Sequence, residues 1–446
     1  MKKVLRFLLF VIVLALGISA FYLFVGSTPE AKGIQWGVNF SKKHAEALGL
    51  DWRAVYTALL DDLEVKRLKV SLDWNDLESQ QDEFSFEDAD WQVAQAELRG
   101  AQLLLVVGMK TMRWPECHVP EWAKRLSKQE QQEEILRLLE AVVARYKRSP
   151  AAAAWQVENE PLFPFGGCPW RDRKFLGQEV ALVKSLDESR PVVVSDSGEL
   201  SFWLQAGRIG DIVSTTMYRN VWFHEIGRYV EYPLPPLFYA RKAAYIDKLF
   251  DKPVIVGELQ AEPWGPGKLL YDTTLEEQDA AFDIAQFRKN IAYAKRTGLK
   301  EFYLWGAEWW YWRKEKAQDP TFWDEAKALL RSAPCLEVEI ADTPELQVQG
   351  LSGRKSLSEN KGMLFVYEKP AMPGFWMKDM RFPIDIIWLG EDIRVAGIEA
   401  HVPPETYPAV FYSPSPVRYV LEVNAGWAER NGITSGSKIC IQQAER

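Results

Sequence analysis

Two glutamates in this chain stand at the ends of short apolar runs, a spacing that could set two carboxyls facing each other across one bond. The first is Glu160, in Trp155-Gln156-Val157-Glu158-Asn159-Glu160-Pro161. A short apolar run, Ala151 to Val157, reads as a buried strand, and Pro161 cannot continue a strand ladder because it has no N–H. Asn159 and Glu160 should therefore stand where a strand opens into a loop. The second is Glu258, which ends another apolar run, Pro253-Val254-Ile255-Val256-Gly257-Glu258. Hydrolysis of a glycoside needs a carboxyl to protonate the leaving oxygen and a carboxylate on the other side of the bond. No metal or cofactor is called for.

The roles follow from what each group needs. Glu258 is expected as the nucleophile, kept ionised by donors, for which Tyr218 and Arg67 are the candidates. Glu160 is expected as the acid/base, its proton held by partial burial and by the opposing charge. A pair about 5–5.5 Å apart permits double displacement with retention. Asn159 is placed to hold a sugar 2-hydroxyl and Trp305 to floor the reacting sugar. Trp74 and Trp264 complete the expected substrate-binding set. Glu262, beyond the strand end, is the second choice for nucleophile. Glu158 should point away from the site by strand alternation.

Positioning these groups takes a scaffold of matching size. At 446 residues the chain is long for one core, and two domains are expected. Its 47% hydrophobic and 26% charged content is that of a folded globular protein. A net charge of −8 speaks against a nucleic-acid partner. The 19 tryptophans suit carbohydrate faces, although most are expected in the core. The four histidines (44, 118, 224, 401) are scattered and make no zinc pattern.

Residues 1–26 read as an N-terminal membrane segment. Lys2, Lys3 and Arg6 precede the uncharged stretch Phe7–Val25. As a helix that stretch spans roughly 28 Å, close to a bilayer core. The basic flank places the start in the cytoplasm and the remainder outside. An uncleaved anchor is the preferred reading, and a signal peptide cut near Ala20 or Gly26 the alternative. Residues 27–32 are a linker. From 33 to 333, strand-like runs (34–40, 66–72, 103–107, 152–157, 191–195, 211–217, 253–257, 301–305) alternate with helical patterns, as in a (β/α)8 TIM barrel. Strand ends carry the active sites of such barrels. From 334 to 446 the pattern becomes alternating strands with Gly and Pro turns, a small β-rich C-terminal domain.

The residues at those strand ends resemble a clan A retaining glycoside hydrolase, nearest the family 5 and family 39 types, over 33 to about 332. Asn159-Glu160-Pro161 stands after the fourth strand, Tyr218 after the sixth, Gly257-Glu258 after the seventh and Trp305 after the eighth. Val65-Lys66-Arg67-Leu68, Trp74 and Leu77-Glu78 resemble the second-strand region. Two departures stand out. Family 5 usually carries His on strand three and again two residues before the strand-six Tyr; here the positions hold Met109-Lys110-Thr111 and Thr216. The C-terminal domain resembles the domain of unknown function 192 family, through Gly350–Arg354, Gly362–Val366, Phe375–Lys378, Pro383–Asp385 and Leu421–Gly426. That resemblance implies a fold and no mechanism. Asp385, Lys378 and Arg354 form either a polar site or, preferably, an internal ion network.

The expectation is thus a membrane-anchored or secreted, extracytoplasmic retaining hydrolase of β-linked oligo- or polysaccharides. The alternative is a non-catalytic carbohydrate-binding or envelope interaction protein on a glycosidase-like barrel. Cys117 and Cys168 lie in the loops after strands three and four. Adjacent parallel strands bring such loops close enough for a disulfide, and export supplies the oxidising compartment. Cys335 and Cys440 make a weaker second pair, requiring the first and last strands of the C-terminal domain to be neighbours.

Overall fold

The computed structural model describes residues 21–330 and 336–443, apart from 29, 32, 359, 360, 432 and 438. It divides into two compact units, Met1–Leu330 and Arg331–Arg446. The expected membrane segment lies almost wholly outside the described residues. Only residues 21–26 of it are described, with 21–24 as a short helical stretch whose Phe24 ring lies 5.7 Å from Phe238. No helix among the described residues is long and apolar enough to cross a membrane.

The first unit is a closed barrel of eight parallel strands: β1 (Gln35–Phe40), β2 (Arg67–Asp73), β3 (Gln102–Gly108), β4 (Ala152–Val157), β5 (Val192–Asp196), β6 (Ile212–Met217), β7 (Val254–Gln260) and β8 (Glu301–Trp305). Each strand pairs with its sequence neighbours, and β8 closes on β1. Strand alternation sorts the side chains into two populations. Outward residues such as Val38, Leu68, Val70, Leu105, Trp155, Val213 and Phe302 join the helices in one large core. Inward residues Leu104, Val193, Ile255 and Tyr303 make a small apolar plug inside the barrel. The inward positions also include buried polar side chains: Lys69, Gln156, Ser195, Ser214 and Thr216. Burial on both faces explains why the strands read as unbroken apolar runs.

Local sequence sets the surrounding helices. Asp51, Ser127, Asp172 and Asp283 each cap a helix by accepting from its first free amides, and Ser127 with Glu130 forms a capping box. A two-stranded hairpin, Asn220–Phe223 with Arg228–Glu231, follows β6.

The second unit is a six-stranded mixed sheet. Its strands are β9 (Leu336–Ala341), β10 (Lys361–Ala371), β11 (Ile384–Leu389), β12 (Val395–Val402), β13 (Val417–Asn424) and β14 (Ile441–Gln443), in the order β12-β11-β13-β10-β9-β14. Each face carries its own apolar cluster, one around Leu336, Ile387, Leu421 and Trp427, the other around Phe365, Ile386 and Trp388. Asp385, Lys378 and Arg354 do not assemble into a site. Asp385 accepts from the amides of His401, Gly426 and Ala428 at 2.9–3.0 Å, and Arg354 makes a two-pronged pair with Glu339 at 2.5 and 2.7 Å. The sequence also concealed Glu422, a buried carboxyl of β13 that burial pushes up to about 8.

Leu336 pairs with Ile441, so the first and last strands of this unit are neighbours, as the second cysteine pair requires. Cys440 is disulfide-bonded, its partner lying outside the described residues. The first pair is fully visible: Cys117 and Cys168 are joined with their Cα atoms 5.0 Å apart.

Candidate active site

At the C-terminal mouth of the barrel a strand irregularity aims Glu258. Thr215 of β6 pairs with Val256, but Thr216 pairs with Glu258. On the other side Phe302 pairs with Val256 and Leu304 with Leu259. The strand β7 thus holds one residue more than either neighbour, a bulge at Gly257–Glu258. Strict alternation from outward Val256 would leave Glu258 outward; the extra residue turns it into the mouth. Gly257 fits closely here: a Cβ would meet Ser214 Oγ at 2.1 Å, so Ser214 would have to turn aside for any larger residue. Asn39, at the end of β1, secures the region by donating to the carbonyls of Gly257, Tyr303 and Leu304 at 3.0–3.2 Å.

Glu258 receives two donors, Lys69 Nζ at 3.0 Å on Oε1 and Tyr218 OH at 2.9 Å on Oε2. Tyr218 was expected. Lys69 was not, and Arg67, named for the role, does not hold it. Arg67 is the first residue of β2 and pairs with Glu301, the first residue of β8, at the opposite end of the barrel. Lys69 shares its inward face one step further along. The second-strand stretch was located correctly, and the depth of its cation was misjudged by two residues. Lys69 also donates to Asn159 Oδ1 at 3.3 Å, as does Gln156 Nε2 at 3.1 Å. That leaves the Asn159 amide nitrogen as its donor.

Glu160 follows two residues that leave β4 sharply. Glu158 and Glu160 both adopt positive φ, 60° and 42°, a conformation uncommon outside glycine. Glu158 points away from the mouth and accepts from the Met109 and Lys110 amides. It shares its environment with Glu179, whose carboxyl burial and the Glu158 charge push well up. The Glu160 amide donates to Ser195 Oγ at 2.7 Å, and its carboxyl lies 3.5 Å from Thr216 Oγ1. Burial raises the Glu160 carboxyl well above its ordinary range, and the charges of Glu258 and Glu116 add to the shift. The two carboxyls therefore meet opposite surroundings, one furnished with donors, the other pushed toward its protonated form.

The loop after β3 folds over the mouth. Met112 packs with Trp305 and Val106, and Tyr218 leans against this group. Arg113 lies over the Trp305 ring at 4.1 Å from its centroid and pairs with Glu262 and Glu308. Trp305 is in the site, but this face carries a guanidinium. Glu262 is held down to about 2: burial would raise it, and Arg113 and His44 outweigh that. This marks Glu262 as a structural anion rather than a second nucleophile. Lys110 donates to the Glu160 carbonyl at 3.0 Å and lies 3.0 Å from Glu116 Oε2. Glu199, in the loop after β5, accepts from the Tyr218 amide at 2.8 Å and from Tyr239 OH at 2.7 Å, and so positions Tyr218. Sequence reasoning gave Lys69, Arg113 and Glu116 no role at the mouth.

Aromatic side chains line one approach. Exposed Trp114 contacts Phe165 at 6.2 Å, Phe165 contacts Trp264 at 6.0 Å, and Trp264 contacts Tyr218 at 5.2 Å. Trp264 is thus placed as expected. Trp74 is not: it is fully buried, donates to Glu78 Oε2 at 2.9 Å and packs on Trp122, so it has no face to offer a sugar. Trp309 and Trp310 are likewise buried core.

Residues 32–179 match the model of Glycosyl hydrolase family 10, and residues 328–441 match that of DUF192, described as an uncharacterized family. The chain resembles clan A glycoside hydrolases through its barrel and the DUF192 family through its C-terminal domain. The first match includes Asn159 and Glu160 and ends before Glu258. The β-glucuronidases of Pongo abelii and Homo sapiens are each 30% identical over 127 residues, 28% of this chain and 18% of theirs. The chain therefore spans about a fifth of the length of those relatives. Among solved structures, a GH5_18 protein of Bifidobacterium longum aligns over 70% of this chain and 84% of its own, at 12% identity and a TM-score of 0.49. A protein of unknown function from Novosphingobium aromaticivorans is 38% identical over 23% of this chain and 73% of its own, with a TM-score of 0.22.

Proposed function

We propose that the barrel is a retaining glycoside hydrolase of β-linked oligo- or polysaccharides, with Glu258 as nucleophile and Glu160 as acid/base. The observation that carries this reading is the opposite treatment of the two carboxyls. Lys69 and Tyr218 donate to the two oxygens of Glu258 and so hold its carboxylate in place for attack on the anomeric carbon. Glu160, buried and facing other negative charges, keeps its proton for the leaving oxygen. It would then take a proton from water as that water resolves the glycosyl-enzyme. Asn159, with its oxygen occupied by Lys69 and Gln156, is left to meet a sugar hydroxyl through its amide nitrogen. Trp264, with Phe165 and Trp114, would stack the sugars beyond the cleavage point.

The rival, a barrel that holds glycan without cleaving it, takes support from Arg113 lying over Trp305. It leaves the opposed environments of the two glutamates without a purpose. Proton NMR of the first-formed product from aryl β-glycosides and β-glucans separates the two: a β-anomer supports the retaining reading, an α-anomer overturns retention, and no turnover supports the rival. The extracytoplasmic placement and the membrane tether rest on Phe7–Val25 and its basic flank. Fractionation of cells making the full chain tests them, and recovery in the cytoplasm would contradict both.

A further inference from the structure

Behind the two glutamates stands a third carboxyl, Glu199, that holds a neighbour of each. It lies in the loop after β5, and that loop is fixed from several sides. Lys242 Nζ, from the helix Pro236–Phe250, donates to the Gly198 carbonyl at 2.6 Å, and Trp203 Nε1 donates to the Ser197 carbonyl at 2.9 Å. The Gly198 amide donates to Thr216 Oγ1 at 2.9 Å. A Cβ on Gly198 would meet the Thr216 carbonyl at 1.9 Å, so the loop backbone lies directly on the end of β6.

The Glu199 carboxyl is surrounded by donors. Tyr239 OH and the Tyr218 amide donate to Oε1 at 2.7 and 2.8 Å, and Thr216 Oγ1 lies 3.2 Å from Oε2. Burial raises this carboxyl, and these donors work against the shift. Tyr232 and Tyr293 feel its charge, as does the Lys242 amine, which burial lowers to about 7.

Thr216 carries the effect across to Glu160. A hydroxyl has one proton and two lone pairs. One lone pair accepts from Gly198. Two carboxyl oxygens compete for the proton, Glu199 Oε2 at 3.2 Å and Glu160 Oε1 at 3.5 Å. Given to the nearer Glu199, the proton leaves the second lone pair for Glu160. That lone pair accepts only from a Glu160 that carries its proton; a Glu160 anion would face an oxygen with no hydrogen to offer. The charge of Glu199 acts in the same direction, alongside those of Glu258 and Glu116, with Lys110 opposed.

We propose that Glu199 is a positioning residue for both catalytic carboxyls: through the Tyr218 amide it holds the donor to Glu258, and it turns the Thr216 hydroxyl to present an acceptor to Glu160. The inference rests on the glycosidase reading above and adds to it a residue that touches no reacting atom.

The test is the pH dependence of kcat/KM for wild type, Glu199→Gln, Thr216→Val and Thr216→Ser, on whichever aryl β-glycoside or β-glucan wild type cleaves best. The alkaline limb of that profile reports the acid/base carboxyl of the free enzyme. Glutamine keeps an acceptor for Tyr218 and Tyr239, but its amide nitrogen donates to Thr216 and so turns the hydroxyl proton towards Glu160. Valine removes the hydroxyl, and serine keeps it. The alkaline limb should move to lower pH by about one unit in Glu199→Gln, about tenfold in kcat/KM along that limb. It should move in the same direction, by less, in Thr216→Val, and stay with wild type in Thr216→Ser. A residue that only supported the fold would lower the whole profile without moving the limb. A limb that stays in place in Glu199→Gln or in Thr216→Val, or moves to higher pH, would overturn the proposal while leaving the glycosidase reading intact. Thr216→Val keeps Glu199 and its hold on Tyr218, so it decides the matter alone if Glu199→Gln does not fold. Turnover of none of the substrates by wild type would overturn that reading and the proposal with it.

Discussion

Replacing both Cys117 and Cys168 by serine should lower stability by an amount the structure allows to be worked out. The bond closes a loop between residues 51 apart in sequence. In the chain-entropy model, a closed loop of about fifty residues removes roughly 14 cal/mol/K from the unfolded chain, or about 4 kcal/mol at room temperature. Unfolding about 300 residues carries an entropy near 0.6 kcal/mol/K, so the midpoint should fall by roughly 6 °C. The native loops keep other contacts, including the Gly167 amide on the Pro115 carbonyl at 2.8 Å and the His118 amide on the Met109 carbonyl at 2.9 Å. These should let the variant fold. The assay is calorimetric unfolding of the double variant beside wild type, without reductant, so that the disulfide of Cys440 stays intact. A fall of about 4–7 °C in the barrel transition is expected. A change below about 1 °C would refute the reasoning, because it would mean that the unfolded chain gains no freedom when the crosslink is absent.

Two further outcomes follow from the site. Lys69→Met leaves Glu258 buried without its cation, and breaking a buried pair typically costs about 3–5 kcal/mol; loss of kcat/KM by a hundredfold or more, together with a lower unfolding midpoint, is expected on any accepted substrate. Glu160→Gln should abolish general acid catalysis yet stabilise the fold increasingly as pH rises. The folded-state carboxyl is raised, so its contribution is fully present below the unfolded value near 4.5 and is lost as pH rises through the folded value; a difference in midpoint from wild type that does not grow between about pH 5 and 8 would contradict this.

Much of the scaffold is legible in the residues themselves. Short apolar runs between amphipathic stretches mark strands buried on both faces, and Pro161 marks where β4 stops. Since a barrel's strand ends form its mouth, locating those ends was enough to bring Glu160, Glu258, Asn159, Tyr218 and Trp305 to one region. What stayed hidden depends on single-residue register. A bulge inserts one residue without changing composition, so the inward turn of Glu258 has no sequence signature beyond Gly257. The same uncertainty of depth put Arg67 where Lys69 stands. Trp74 was misplaced because aromatic residues serve core and platform alike, and burial alone decides between them. Arg113 and Glu116 lie in a loop whose course is set by positive φ values and the crosslink, neither of which follows a periodic pattern. The cysteine pair was accessible because adjacent parallel strands fix the spacing of the loops that leave them.

The central claim is that Glu258 attacks the sugar while Glu160 supplies the proton. Its most direct test is the Glu258→Gly variant, assayed on a substrate that wild type cleaves, with and without sodium azide. Without azide, turnover should fall by about a thousandfold or more, equivalent to roughly 4 kcal/mol. With azide, rate should return and the product should be the glycosyl azide of inverted configuration, since the small anion enters the space that the carboxylate vacates. Near-normal turnover of the variant without azide would contradict the assignment.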